Sequence, residues 1–175
     1  MSIDFIPLII WSCMMAFFVY WLIKAIKIKV NYEVTMSIAL IFYFSASILS
    51  FYFNSLVENI FLLMIGIIFI SLAVAIFISQ IIIMKKLGKG KNWEYTQELI
   101  TKGWFKYIRH PIYFASAIGN IGILLMIPTI LTCILAPLSI FLCLLSSFWE
   151  EKANLEKFGR EYEEYKKNVR FWGIF

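Results

Sequence analysis

The chain has 175 residues, 62% of them hydrophobic and 15% charged, with a net charge of +5. So apolar a chain cannot hide its surface inside itself, which excludes an ordinary soluble domain and leaves a single membrane domain built as a bundle of helices. The positive balance does not point to nucleic acid, because the basic residues flank apolar segments and form no solvated face with interleaved aromatics; membrane lipids with anionic headgroups are the partner they suit.

The apolar runs are long and continuous, without the alternation of barrel strands, so the expected fold is all-α: about five transmembrane helices and a C-terminal amphipathic helix. The first run covers residues 6–23 and stops at Lys24, Lys27 and Lys29. Met1, Ser2, Ile3 and Asp4 before it carry no basic leader, and the run is expected to be retained as an anchor. Residues 34–53 and 60–84 form the second and third runs, each near the ~20 residues that a ~30 Å hydrocarbon core requires. A short polar turn, 54–59, joins them. Gln80 sits inside the third run, where its amide needs a hydrogen-bond partner or a wet cavity.

Residues 85–110 are polar and basic, contain Gly88 and Gly90, and form the largest connection. Pro111 then opens two further apolar segments, 112–127 and 129–148, separated by Pro128. The first of these would make a helix of about 24 Å at ~1.5 Å per residue, short of a full crossing, so the pair reads as a tight hairpin with a short or tilted first arm. Ala115, Ser116, Gly119 and Gly122 lie near one face of that arm and permit close helix packing, and Asn120, like Gln80, is a polar group that needs a partner. From Glu150 onward, charges surround Leu155, Phe158, Tyr162, Tyr165 and Val169 at helical spacing, one apolar stripe on an amphipathic helix that contains Gly159. Cys13, Cys133 and Cys143 fall in apolar stretches at spacings that suit neither a metal nor a disulfide framework, and read as small hydrophobes.

This arrangement puts all 16 Lys and Arg residues on one side of the membrane, with only Asp4 and Glu58 on the other. By the positive-inside tendency the basic side is cytoplasmic, with the N-terminus outside and the C-terminus inside. The layout is thus three helices in 1–84, a cytoplasmic connection in 85–110, a hairpin in 111–149 and a cytoplasmic tail in 150–175.

A hairpin brings its ends together. The only histidine, His110, with Arg109, Pro111 and Tyr113, is therefore expected beside Glu150 and Glu151 at the cytoplasmic mouth of the bundle. Ionisable groups at such a place serve either as a functional site or as snorkelling anchors for lipid phosphates, and the residues by themselves leave both readings open.

The run Gly103-Trp104-Phe105-Lys106-Tyr107-Ile108-Arg109-His110-Pro111-Ile112-Tyr113, then Glu150-Glu151, then Phe158-Gly159-Arg160-Glu161-Tyr162-Glu163-Glu164-Tyr165, resembles the signature of the isoprenylcysteine carboxyl methyltransferases and the related phospholipid methyltransferases. The resemblance covers the C-terminal half, and the first two helices carry no recognisable motif. It implies S-adenosylmethionine as cofactor, held by His110, Pro111, Ile112, Tyr113 and Glu150, with Phe105 nearby and with Gln97, Glu98, Leu99 and Ile100 also lining it. It implies in turn a lipophilic small-molecule or lipid substrate that enters from the bilayer, contacted at Ser146 and Arg109. No residue is implied as an acid-base catalyst and no metal is required, since methyl transfer is an in-line displacement that needs alignment in a dry site. Two positions depart from the pattern: Phe105 replaces a tyrosine, and Ser146 replaces a basic residue associated with substrate. Two other classes share parts of this pattern: membrane reductases that use a nicotinamide cofactor, and a non-catalytic membrane protein that keeps the fold. The Arg-His-Pro form and the Phe-Gly-x-Glu-Tyr tail favour the methyltransferase.

Overall fold

The structure is a computed structural model that describes residues 5–52, 56–89 and 96–173. Asp4, Asn54 and Gly90 lie outside them. Among the described residues six α-helices follow one another: α1 (Phe5–Ile28), α2 (Asn31–Tyr52), α3 (Ile60–Leu87), α4 (Pro111–Met126), α5 (Ile130–Phe158) and α6 (Arg160–Asn168), with a 3-10 turn at Gly103–Lys106. Among the described residues there is no strand, only an isolated parallel bridge between Ile108 and Arg170. Helices α1, α2, α3 and α5 are long and apolar enough to cross a membrane, and α4 is the expected shorter arm. This is an all-α integral membrane protein.

Local chemistry sets the boundaries. The carboxamide of Asn59 accepts from the backbone N–H groups of Phe61 (3.0 Å) and Leu62 (3.3 Å), which satisfies orphan donors at the start of α3. Thr129 and Thr132 form a reciprocal capping box at the start of α5. Lysines do not stop α1 where the run of apolar residues ends: the helix continues through Lys24 and Lys27 to Ile28, with the Lys24 ammonium 4.3 Å over the Trp21 ring. A long side chain can lie back along the helix towards water, so charge ends the hydrophobic stretch without ending the helix. Helix α5 overruns its expected end for the same reason and carries Glu150 and Glu151 on its last turns.

The tail differs from expectation. Its apolar stripe does not belong to one helix: Leu155 and Phe158 are on α5, Tyr162 and Tyr165 are on α6, and Gly159 breaks the chain between them at φ +53°. That conformation suits glycine, so Gly159 is a corner between two helices and not a residue inside one. The break buries Tyr162 and Tyr165 and leaves Leu155 exposed.

Helices α3 and α4 pack closely. A Cβ at Gly66 would lie 2.7 Å from the Gly122 carbonyl oxygen, and one at Gly122 would lie 2.9 Å from that of Gly66, so two glycines bring the backbones together as small residues do in lipid. Further along, the phenol of Tyr43 on α2 reaches Gly119. On the other side α5 packs on α2, where the Ser139 hydroxyl donates to the Ala39 carbonyl at 2.9 Å. Helix α1 leans on α2, with the Trp11 indole N–H donating to the Phe44 carbonyl, and leaves Ile9, Tyr20 and Ile23 exposed on its outer face, where lipid would cover them.

Candidate functional site

Pro111 sits at the first position of α4, where its missing N–H costs nothing, and this places His110 at the N-cap. The His110 side chain makes no capping bond and turns instead to the end of α5. Its Nδ1 lies 3.3 Å from Glu150 Oε2 and its Nε2 3.4 Å from Glu151 Oε1, so the hairpin does bring the histidine and the two carboxylates together. Burial pulls the His110 pKa down, but the hydrogen bonds and charges of Glu150 and Glu151 outweigh it, and the net direction is up. The ring is thus favoured as an imidazolium that donates from both nitrogens.

Adjacent in sequence, the two glutamates are not equivalent. Glu151 also takes the Arg109 Nε at 2.6 Å and the Lys166 ammonium at 2.8 Å, and is buried as the centre of that cluster. Arg109 is engaged further, since its Nη1 donates to the carbonyls of Lys166 (3.0 Å) and Val169 (2.9 Å) and its guanidinium lies 5.5 Å over the Phe171 ring. Glu150, more open, lines a cavity of about 380 Å³ together with Tyr113 and Tyr32.

Phe105, Arg109, His110, Pro111, Ile112, Tyr113 and Glu150 all line this cavity. Phe105 is held there from two directions: the Tyr165 hydroxyl donates to its carbonyl at 2.6 Å, and the neighbouring Trp104 indole donates to the Ser79 hydroxyl at 2.9 Å. Gly103, at φ +65°, makes the turn that brings the segment against α3.

The structure does not bring the remaining expected residues to the cavity. The Gln97 backbone N–H donates to the Gly88 carbonyl, Glu98 pairs with Lys89 at 2.7 Å on the surface, Leu99 lines a separate open cleft against α6, and Ile100 is buried. Ser146 is fully buried and shares a 2.6 Å hydrogen bond with the Thr35 hydroxyl, so it ties α5 to α2. Conversely, the half of the chain without a motif supplies much of the wall: Phe17, Phe18 and Trp21 from α1, and Tyr32, Glu33 and Met36 from α2. One signal for them was available in the sequence, since Glu33 is an acidic residue at the start of an apolar run.

A family model described as PEMT, phospholipid methyltransferase, matches residues 61–161, which spans α3 to the beginning of α6 and includes both halves of the His110–Glu150 pair. The chain belongs to the phospholipid methyltransferase family. No curated protein and no solved structure matches it. Family membership makes the chain a membrane methyltransferase and agrees with the resemblance read from its motifs. The α1–α2 wall of the cavity lies outside the matched segment.

Proposed function

We propose that the protein is an S-adenosylmethionine-dependent methyltransferase whose cofactor lies at the polar end of the cavity and whose lipophilic acceptor occupies the apolar end. The observation that carries this reading is the meeting of His110 and Glu150 at one end of an aromatic chamber. The residues fit the cofactor. A cavity of about 380 Å³ lies within the usual range for small-molecule sites, roughly 300–1,000 Å³. Glu150, oriented by His110, suits an ammonium or ribose hydroxyls, and aromatic faces suit a sulfonium. When bound, the cofactor supplies an activated methyl group. This chain's own residues orient and enclose: Pro111, Ile112 and Phe105 wall the site, and the aromatic side chains of α1 exclude water, which an in-line displacement requires.

The acceptor we propose is neutral at its reacting atom, such as a lipid amine in its unprotonated form or a thiol. An anionic acceptor in a low-dielectric site needs a paired cation. Ser146 supplies none and lies off the cavity, Arg109 is engaged by Glu151 and the tail, Lys85 is exposed, and Glu33 and Glu150 both line the wall.

Titration calorimetry of the purified protein with adenosylmethionine, adenosylhomocysteine and NADPH separates the classes. Binding of the first two supports the proposal. NADPH binding alone, or no binding, overturns it. Labelled methyl transfer to ethanolamine lipids, hydrophobic thiols and prenylcysteine analogues then tests the acceptor; efficient methylation of a prenylcysteine carboxylate would refute the neutral-acceptor reading.

A further inference from the structure

Residues 169–173, after α6, do not trail into solvent. Arg170 accepts the Arg109 backbone N–H at 3.0 Å through its carbonyl, so the tail pairs with the residues just before His110. Phe171 and Trp172 then turn inward and are almost fully buried, in one cluster with Tyr113 and Ala117 of α4, Cys143 of α5 and Ala39 of α2. The Phe171 ring stacks on Phe148 of α5 with centroids 4.9 Å apart and meets the His110 ring edge-on at 5.1 Å. The Trp172 indole N–H donates to the Ser147 hydroxyl of α5 at 3.1 Å, while its ring meets Phe114 of α4 edge-on at 6.2 Å. Each ring touches both helices, or α5 and the residue that opens α4.

We propose that Phe171 and Trp172 form a wedge between the cytoplasmic ends of α4 and α5 that sets the spacing of His110 from Glu150, and are therefore positioning residues for the candidate site. The physical basis is stiffness. The bonds from His110 to the two carboxylates, at 3.3 and 3.4 Å, are long, so they do not by themselves hold the helix ends at a fixed separation. Two flat rings of fixed shape in a close-packed cluster do so, because interiors yield little to compression. The family match ends at residue 161, so this wedge lies wholly outside it.

The chain has a single histidine, so ¹⁵N-histidine labelling of the full-length protein reports one imidazole. Glu150 and Glu151 from α5, Lys166 from α6, Tyr113 from α4 and the adjoining Arg109 are the ionisable groups around it. In the wild type its titration midpoint is expected above the ordinary value of 6.5. In Phe171→Leu water enters and the carboxylates draw away, so the midpoint relaxes towards 6.5. Phe171→Tyr keeps the ring and should keep the midpoint. Trp172→Phe and Ser147→Ala remove the two ends of one hydrogen bond and should shift the midpoint alike, without adding in the double variant. These milder variants test the wedge if Phe171→Leu does not fold. A midpoint unmoved in all folded variants, with only thermal stability reduced, overturns the proposal.

The consequence for ligand binding rests on the function proposed above. Adenosylhomocysteine affinity is expected to fall about tenfold in Phe171→Leu, the size of one weakened ion-assisted hydrogen bond. If the wild type binds no adenosylhomocysteine, the functional reading fails while the histidine titration still decides the wedge. If the wild type binds and every wedge variant binds equally well, the wedge fails.

Discussion

Two neighbouring glutamates on one helical turn face different demands. Glu150 borders the cavity and has room for a ligand, whereas Glu151 is enclosed by Arg109, His110 and Lys166. Glu150→Gln and His110→Ala are expected to weaken adenosylmethionine binding about ten- to hundredfold, the worth of one ion-assisted hydrogen bond, measured by calorimetry on folded protein. Glu151→Gln should weaken binding less and stability more, by about 3 kcal/mol in denaturant unfolding, because it leaves buried cations without their partner. The pH dependence has a definite sign. His110 has a raised folded-state pKa, so its contribution to stability is complete below about pH 6.5 and is lost as pH rises through the raised value. His110→Ala should therefore flatten the fall in stability on the alkaline side of 6.5 and leave acid sensitivity to the carboxylates.

At the scale of the elements, glycines decide two joints. The α3–α4 contact depends on Gly66 and Gly122, each facing the other's carbonyl oxygen. Gly122→Leu should force the helices apart, which costs about 1–3 kcal/mol of overpacking and lowers the thermal midpoint of the detergent-solubilised protein. At Gly159 a new Cβ would meet nothing within 4 Å, so the cost of Gly159→Ala is purely that of the positive φ, about 1–3 kcal/mol. A stabilising effect there would show that α5 and α6 prefer to run on as one helix. Periodicity alone could not separate these outcomes: the stripe from Leu155 to Val169 keeps helical spacing across the corner, since one residue at positive φ changes the direction of the chain without changing the count.

For the molecule as a whole, the one-sided charge gives a testable orientation. Cysteines placed at Glu58 and at Lys102 in a background without native cysteines should react with impermeant reagents from opposite faces, Glu58 from outside and Lys102 from the cytoplasm. Labelling of both from one face would exclude the arrangement with an outside N-terminus. That orientation would put the site's polar end at the cytoplasmic surface, where the proposed cofactor is available, and its aromatic end within the bilayer, where the proposed acceptor resides.

What the sequence by itself determined is the part governed by the solvent. Long apolar runs in a chain with little charge can only be membrane helices, and the backbone's need for internal hydrogen bonds makes them α-helices whatever their detailed order of residues. The His110–Glu150 meeting was legible for a similar reason: a short hairpin brings its two ends together, so local connectivity settled a contact of long sequence separation. Only the tertiary structure decided which side chains close the cavity. Phe17, Trp21 and Tyr32 reach it because α1 packs on α2 and α2 packs on α5, and a uniformly apolar helix has no polar face to announce which side it turns inward. Ser146 moved from a substrate contact to a helix–helix bond with Thr35, and Gln97 to Ile100 fell outside the cavity, since a motif records residue types and not the direction in which each points. Phe171 and Trp172 carried no signal at all: two aromatics at the end of a chain this rich in them become a wedge only because Arg109 and Ile108 hold the tail against the helix ends.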